Sequence, residues 1–190
     1  VAQRIADGTP PRQIMVLARR RSRLSAMQDA LRRRHIPVQQ PEKNDLNDAP
    51  EVQDVVALLD ALVSPAHDLS LARALKSPLF GIDDDTLVQL ARCQRETPVA
   101  SWFSLIQKGE GLPPVLTEAG VQLRRWQRWL MAMPPHDALD AIFHDGDVLA
   151  KFGASVPAAL RQSALANLRG LVAASRDIAG ARFATPDALV

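Results

Sequence analysis

Two hydrophobic periods divide the chain. Ile14 to Ala18 is a short continuous apolar run, the pattern of a strand buried on both faces of a parallel sheet. From Ser22 to Arg34, Leu24, Met27 and Leu31 recur at helical spacing with Ala30 beside them. Ile36-Pro37-Val38 then resumes extended character. Strand, helix and strand in so short a span predict a βαβ unit. Val1 to Asp7 reads as the end of an earlier helix, closed by the Gly8-Thr9-Pro10-Pro11 turn. Beyond Pro41 the period is helical throughout. Asp48 is the expected N-cap of a helix with Pro50 in its first turn and Glu51 at the capping-box position. Val52, Val55, Val56, Leu59, Leu62 and Val63 form its apolar stripe, and Pro65 ends it. Asp68 is expected to cap a short helix through Leu75. Asp83 or Asp84 opens another, carrying Leu87, Leu90 and Ala91. Further helices are expected near 98–107, 115–133, 137–143 and 157–178. The fold class is therefore mainly α: a small N-terminal α/β piece over 1–45 and a helical domain over 46–190.

Composition supports this reading and adds one asymmetry. Hydrophobic residues are 47% of the 190, enough for a sizeable core. No apolar run approaches the roughly 20 residues of a membrane span, and no membrane partner is expected. The opening residues do not resemble a secretory signal. The chain begins in mid-helix and stops in what reads as a first helical turn, the pattern of a piece of a longer protein. A lone cysteine, Cys93, excludes an internal disulfide and fits a reducing, cytoplasmic location. The net charge is +2, yet residues 1–40 hold nine Arg against two Asp. Residues 41–190 hold 14 Lys or Arg against 19 Asp or Glu. Such separation suggests that the first part meets a polyanion.

Several chemistries are missing or weakly signalled. There is no GxxxxGK[ST] phosphate loop, so no nucleotide triphosphate site is expected. Asp83-Asp84-Asp85 opens a helix, where carboxylates suit the helix dipole better than they suit a metal ion. His136, Asp140 and His144 recur every four residues, but no HExxH pattern accompanies them and a solvated surface is the expectation. No catalytic constellation is apparent. Arg124-Arg125-Trp126-Gln127-Arg128-Trp129 mixes cations and indoles as single-strand binders do. The spacing of Leu116, Ala119, Leu123, Trp126, Leu130 and Met133 places Trp126 in a core instead, with Arg124, Arg125 and Arg128 on the solvated face.

The first arginine cluster is the stronger candidate. Arg19, Arg20, Arg21 and Arg23 lie between the expected strand and the start of a helix. Ligands of open parallel sheets bind beyond the carboxyl ends of the strands. A helix N-terminus there offers free N–H groups to phosphate. Arg32, Arg33 and Arg34, at the other end, simply complement the dipole.

The order of these features resembles the UvrD-type superfamily 1 DNA helicases. Met15-Val-Leu-Ala-Arg19, Arg20-Arg21-Ser22, Leu31 and His35-Ile-Pro-Val38 are similar to that family's strand ending in Arg, helix and short second strand. Ala49-Pro-Glu-Val52, Leu58-Leu59, Asp68-Leu-Ser-Leu71, Leu75-Lys-Ser-Pro-Leu-Phe-Gly81 and Asp84-Asp85-Thr-Leu87 continue the series. The LKSPLFG stretch looks most like the AddA and RecB-like branch of helicase–nuclease proteins in double-strand break repair. The likeness is good over about residues 12–92.

That resemblance implies that 1–45 belong to the second of two RecA-like motor domains and 46–190 to the helical insertion within it. The ATP-binding lysine, the Mg²⁺-binding carboxylates and the arginine fingers of the family lie outside these bounds. ATP and Mg²⁺ are thus implied for the parent and no cofactor for this piece. Arg19 and Arg21 match positions beside the single-stranded DNA track, with Arg21 standing where relatives often have Asn. Gly81 and Ile82 match a turn whose backbone N–H groups meet duplex phosphates, although Asp83 at the third position would repel them. The implied partners are DNA and a second helicase–nuclease subunit. Two other readings use the residues alone: a stand-alone helical nucleic-acid-binding module, and a helical protein-interaction module.

Overall fold

The computed structural model describes residues 1–19, 21–38, 46–97 and 100–176. The chain forms two compact units, Val1–Asn44 and Asp45–Val190.

In the first unit, α1 (Ala2–Ala6) leads through a 3-10 turn at Pro11–Gln13 into extended backbone, with Ile14 at φ −103° and ψ 115°. Side chains alternate from there. Ile14 and Val16 are half-buried, while Met15 and Leu17 are 82% and 86% exposed. Helix α2 (Arg21–Arg32) follows and anchors the unit through Leu31. Its end is closed by the Arg34 and Ile36 N–H groups, which both donate to the Leu31 carbonyl, with His35 in the left-handed region at φ 56°. The expected βαβ ladder is not formed: no strand occurs among the described residues. The physical reason is that a strand draws its backbone bonds from a neighbour. No such partner lies beside 14–18 or 36–38 among the described residues, so these segments keep an extended course without pairing.

The second unit is helical, as its period predicts. Helix α3 (Pro50–Val63) runs through its middle, burying Val52, Val55, Leu58, Leu59 and Leu62 against α4 (Asp68–Lys76), α7 (Pro114–Ala132) and α10 (Ala158–Ser175). Its start differs by one residue from the expected cap. Asp48 closes a 3-10 turn at Leu46–Asp48, Ala49 is the N-cap without a side-chain bond, and Pro50 takes N1, where its missing N–H costs nothing. Leu46 fits here because Gly170 of α10 has no Cβ: one would stand 3.0 Å from Leu46 Cδ1.

Helix α5 (Asp84–Glu96) is capped by Asp83, whose carboxylate accepts from the Thr86 N–H at 2.8 Å. Helix α6 (Trp102–Lys108) is capped by Ser101 and ends at left-handed Gly109, φ 71°. The backbones of α6 and α7 approach so closely at Gly120 that a Cβ would meet Ile106 O at 2.7 Å. Helix α8 (Pro135–Asp145) begins on another N1 proline. Helix α9 (Val148–Ser155), which the sequence pattern does not predict, buries Val148 and Phe152. Its Lys151 Nζ donates to the Leu79 carbonyl at 2.8 Å, and Arg161 Nε of α10 donates to the Gly153 carbonyl at 2.6 Å. One apolar cluster joins α3 through α10, with Trp126 fully buried within it.

Candidate nucleic-acid interface

Helix α2 has no acidic residue in its first turn. Its N-terminal amides therefore keep their partial positive charge without a counter-charge from the helix's own first turn. Arg19 lies two residues before the first residue of α2, and Arg23 lies within its first turn; both are exposed. Neither has an ion-pair partner among the described residues. Arg21 is the first residue of α2. Arg20 and the side chain of Arg21 lie outside the described residues. The groove beside α2, about 1110 Å³, is lined mainly by apolar residues such as Ile14, Val16, Leu24, Met27 and Leu31. Among the described residues, Arg12, Gln13, Arg19 and Gln28 are its polar side chains, and none of its lining is acidic. Such a lining suits burial of apolar chain, and the cations at Arg19 and Arg23 suit an anion outside it.

The turn at Gly81 and Ile82 has a different character. Gly81 adopts φ 63°, which only a residue without Cβ takes without strain. Its N–H donates to the Ser77 carbonyl at 2.8 Å, and the Ile82 N–H to the Leu75 carbonyl at 2.9 Å. The Ile82 side chain is buried in the core. Both amides are thus engaged within the fold. Asp83 is held ionised by the backbone and side-chain bonds to Thr86, which lower its pKa below the ordinary 3.8. Asp84 pairs with Lys76 Nζ at 2.6 Å. These carboxylates serve the start of α5, and no cluster of three metal-ligating side chains occurs among the described residues. On α8, His136 Nε2 sits 3.2 Å from Asp137, while Asp140 and His144 are exposed.

The RRWQRW helix is only partly the solvated face that spacing suggests. Trp126 is in the core, and its Nε1 donates to Asp145 Oδ2 at 2.8 Å. Arg125 Nη2 donates to the same oxygen at 2.7 Å, and its guanidinium lies 5.7 Å from the Trp129 ring centroid. Arg124 donates from Nε to Gln107 Oε1 and from Nη2 to the Gln107 carbonyl, the latter at 2.7 Å. Arg128 is exposed and has no partner among the described residues.

Sequence reasoning missed a polar cluster whose members meet across a turn. His67 Nδ1 stands 3.0 Å from both Asp60 carboxylate oxygens, and Ser70 Oγ donates to Asp60 Oδ2. Asp60 sits between the other two, so the serine proton points at a carboxylate and not at the imidazole. This arrangement activates no nucleophile. It ties the end of α3 to the start of α4. The signal for it, Asp60 seven residues before a His and ten before a Ser, has no specificity by itself. No helix among the described residues is long and apolar enough to cross a membrane.

Comparison with known proteins adds a family. The family described as UvrD-like helicase C-terminal domain matches residues 2–104. An ATP-dependent helicase/nuclease subunit of Lactococcus lactis subsp. cremoris (strain SK11) is 28% identical over 179 residues, 88% of this chain and 14% of that protein. The exonuclease/helicase subunit RexA of Lactococcus lactis subsp. cremoris (strain MG1363) is 28% identical over the same shares. The corresponding ATP-dependent helicase/nuclease subunit of Anoxybacillus flavithermus is 31% identical over 85 residues, 45% of this chain and 7% of that protein. The chain spans about 14% of the length of the longest-matching of these relatives.

Proposed function

Because the chain belongs to the UvrD-like helicase C-terminal family, we propose that it serves an ATP-dependent DNA helicase of the helicase–nuclease kind, acting in recombinational double-strand break repair in the cytoplasm. The observation that carries this reading is the likeness to a helicase/nuclease protein over 88% of the chain. Residues 1–45 act as part of the second motor domain and 46–190 as its helical insertion. The hinge between them falls near Pro41 to Asn47, mostly outside the described residues. The parent uses ATP and Mg²⁺, carries exonuclease activity and works beside a second subunit. This chain itself contributes DNA contact and regulation of the motor, and performs no catalysis.

DNA contact centres on Arg19, Arg20, Arg21 and Arg23. The exposed guanidinium groups of Arg19 and Arg23 and the α2 N-terminus together favour phosphate oxygens over base edges, so affinity here is sequence-independent. Gly81 and Ile82 offer a duplex no free amide, and any duplex contact at that turn has to use other groups. The test is binding of a labelled single strand across a salt series. Replacing Arg19 and Arg21 by Ala is expected to weaken binding and to flatten the salt slope by roughly 0.7 per lost phosphate contact. An unchanged slope would remove the arginine cluster from the proposal. The chain is also expected to show no DNA-stimulated ATP hydrolysis, having no loop to hold the β- and γ-phosphates.

A further inference from the structure

We propose that the outer face of α7 is a second phosphate-backbone contact, made by Arg124 and Arg128, within the helical unit. The inference rests on the DNA-contacting role proposed above but uses a different surface, one to which that role assigns nothing.

Three observations carry it. First, the charge on this face is not neutralised. Arg124 is bound to Gln107 through an amide oxygen and a backbone carbonyl, both uncharged, so its full cation remains. Arg128 follows one turn later, exposed and without a partner among the described residues. The only carboxylate on α7, Glu118, is about 15 Å from Arg128 along the helix at 1.5 Å per residue. Asp145, on α8, is occupied by Arg125 and Trp126. Second, Arg124 is pre-organised. Two bonds to the last turn of α6 fix its guanidinium, so binding loses less side-chain freedom than it would at a mobile arginine. Lys108, next to Gln107 and exposed, adds a third cation beside this point. Third, the opposite face is unavailable to a lipid surface. Leu116, Ala119, Leu123, Trp126 and Leu130 are buried in the core, so α7 cannot lay an apolar face into a membrane. Cations one turn apart on a helix whose opposite face is packed into the core, in a part of the chain where acids outnumber bases, fit a polyanion with regularly spaced charges.

The experiment uses the whole chain, a 20-nucleotide single strand and a 20-base-pair duplex, with binding followed by anisotropy over a salt series. Variants are R128Q, R124Q/R128Q and R19Q/R23Q. The double α7 variant is expected to reduce the salt slope by roughly 1.4 on the single strand or 1.8 on the duplex, two phosphates' worth in either case. R128Q, which breaks no hydrogen bond or ion pair among the described residues, is expected to give half of that with an unchanged melting temperature. The strand on which the reduction appears identifies the form of DNA that α7 meets. If both α7 variants keep the parent slope while R19Q/R23Q lowers it, the inference falls and the proposed function stands. If only the α7 variants lower it, the inference stands and the arginine cluster at α2 is not the site. Unchanged slopes in all three overturn both the inference and the arginine cluster at α2, whereas preference of the chain for anionic phospholipid vesicles over either DNA, lost in R124Q/R128Q, overturns the inference alone.

Discussion

The Asp68 carboxylate accepts the backbone N–H of Trp102 at 2.7 Å, across 34 residues of sequence. Its other oxygen accepts Gln94 Nε2 at 2.6 Å, and Gln94 Oε1 in turn receives the Trp102 indole N–H at 2.7 Å. The start of α6 is therefore held by α4 and α5 together. Asp68 stands in the first turn of its own helix, yet it satisfies an orphan donor of another.

Replacing Asp68 by Ala leaves the Trp102 amide and one Gln94 donor unsatisfied in a partly buried place. A destabilisation of about 1–3 kcal/mol is expected, read as a lower urea midpoint with unchanged cooperativity. A change within error would show that water replaces the carboxylate freely.

Trp126 combines volume with a polar handle. It is fully buried, stacks obliquely on Phe80 at 5.7 Å between centroids, and donates to Asp145. Trp126→Ala is expected to cost about 3–5 kcal/mol through the cavity it leaves. Trp126→Phe keeps most of the volume but strands one Asp145 bond, so a smaller loss is expected. Equal losses for the two variants, compared by thermal melting, would contradict this division.

Acid should act through Asp60. Burial alone would raise its pKa, but the Ser70 and His67 hydrogen bonds and the charge of His67 outweigh burial and bring it below 3.8. The folded value then lies below the unfolded one. The stabilisation is full above the unfolded pKa, near pH 4, and is lost as pH falls through the folded value. Stability measured by urea from about pH 6 to about pH 3 should fall less steeply in Asp60→Asn than in the parent chain. Parallel curves would rule out Asp60 as a source of the acid sensitivity.

The helical period made α3, α5 and α7 legible because each carries a long apolar stripe that no other element could mimic. Helix α9 escaped because Val148 to Ser155 is short, contains Gly153 and follows Asp147, which sits at φ 51° without a capping bond. The run Ile14 to Ala18 did announce extended backbone with alternating faces, but whether a strand forms depends on a neighbour that local pattern cannot supply. At the candidate site, exposure of Arg19 and Arg23 followed from charge density. The partners of Arg124 and Arg125, Gln107 and Asp145, did not, since they lie 17 and 20 residues away. The burial of Ile82 was equally hidden, because a turn matched by resemblance carries no record of which of its side chains the core will take.

The helical unit should fold by itself. Its apolar cluster draws every member from Val55 to Leu168, with α10 closing over α3, α8 and α9. Among the described residues, the first unit contributes to burial chiefly through Leu31 and, though much the smaller, holds as many large exposed apolar side chains as the second, Met15 and Leu17 the most exposed of its own. A piece of about 45 residues with so little buried surface is below the size at which a domain is stable alone. Truncation to residues 46–190 is therefore expected to preserve a cooperative thermal transition close to that of the whole chain, while residues 1–45 in isolation should show none. Deleting Leu46 as well removes the side chain seated at Gly170 and should lower the midpoint, which separates loss of a packing contact from loss of a unit. A truncated product that melts without cooperativity would show that the helices draw on the first unit for their core, and the proposed hinge near Pro41 to Asn47 would fall with it.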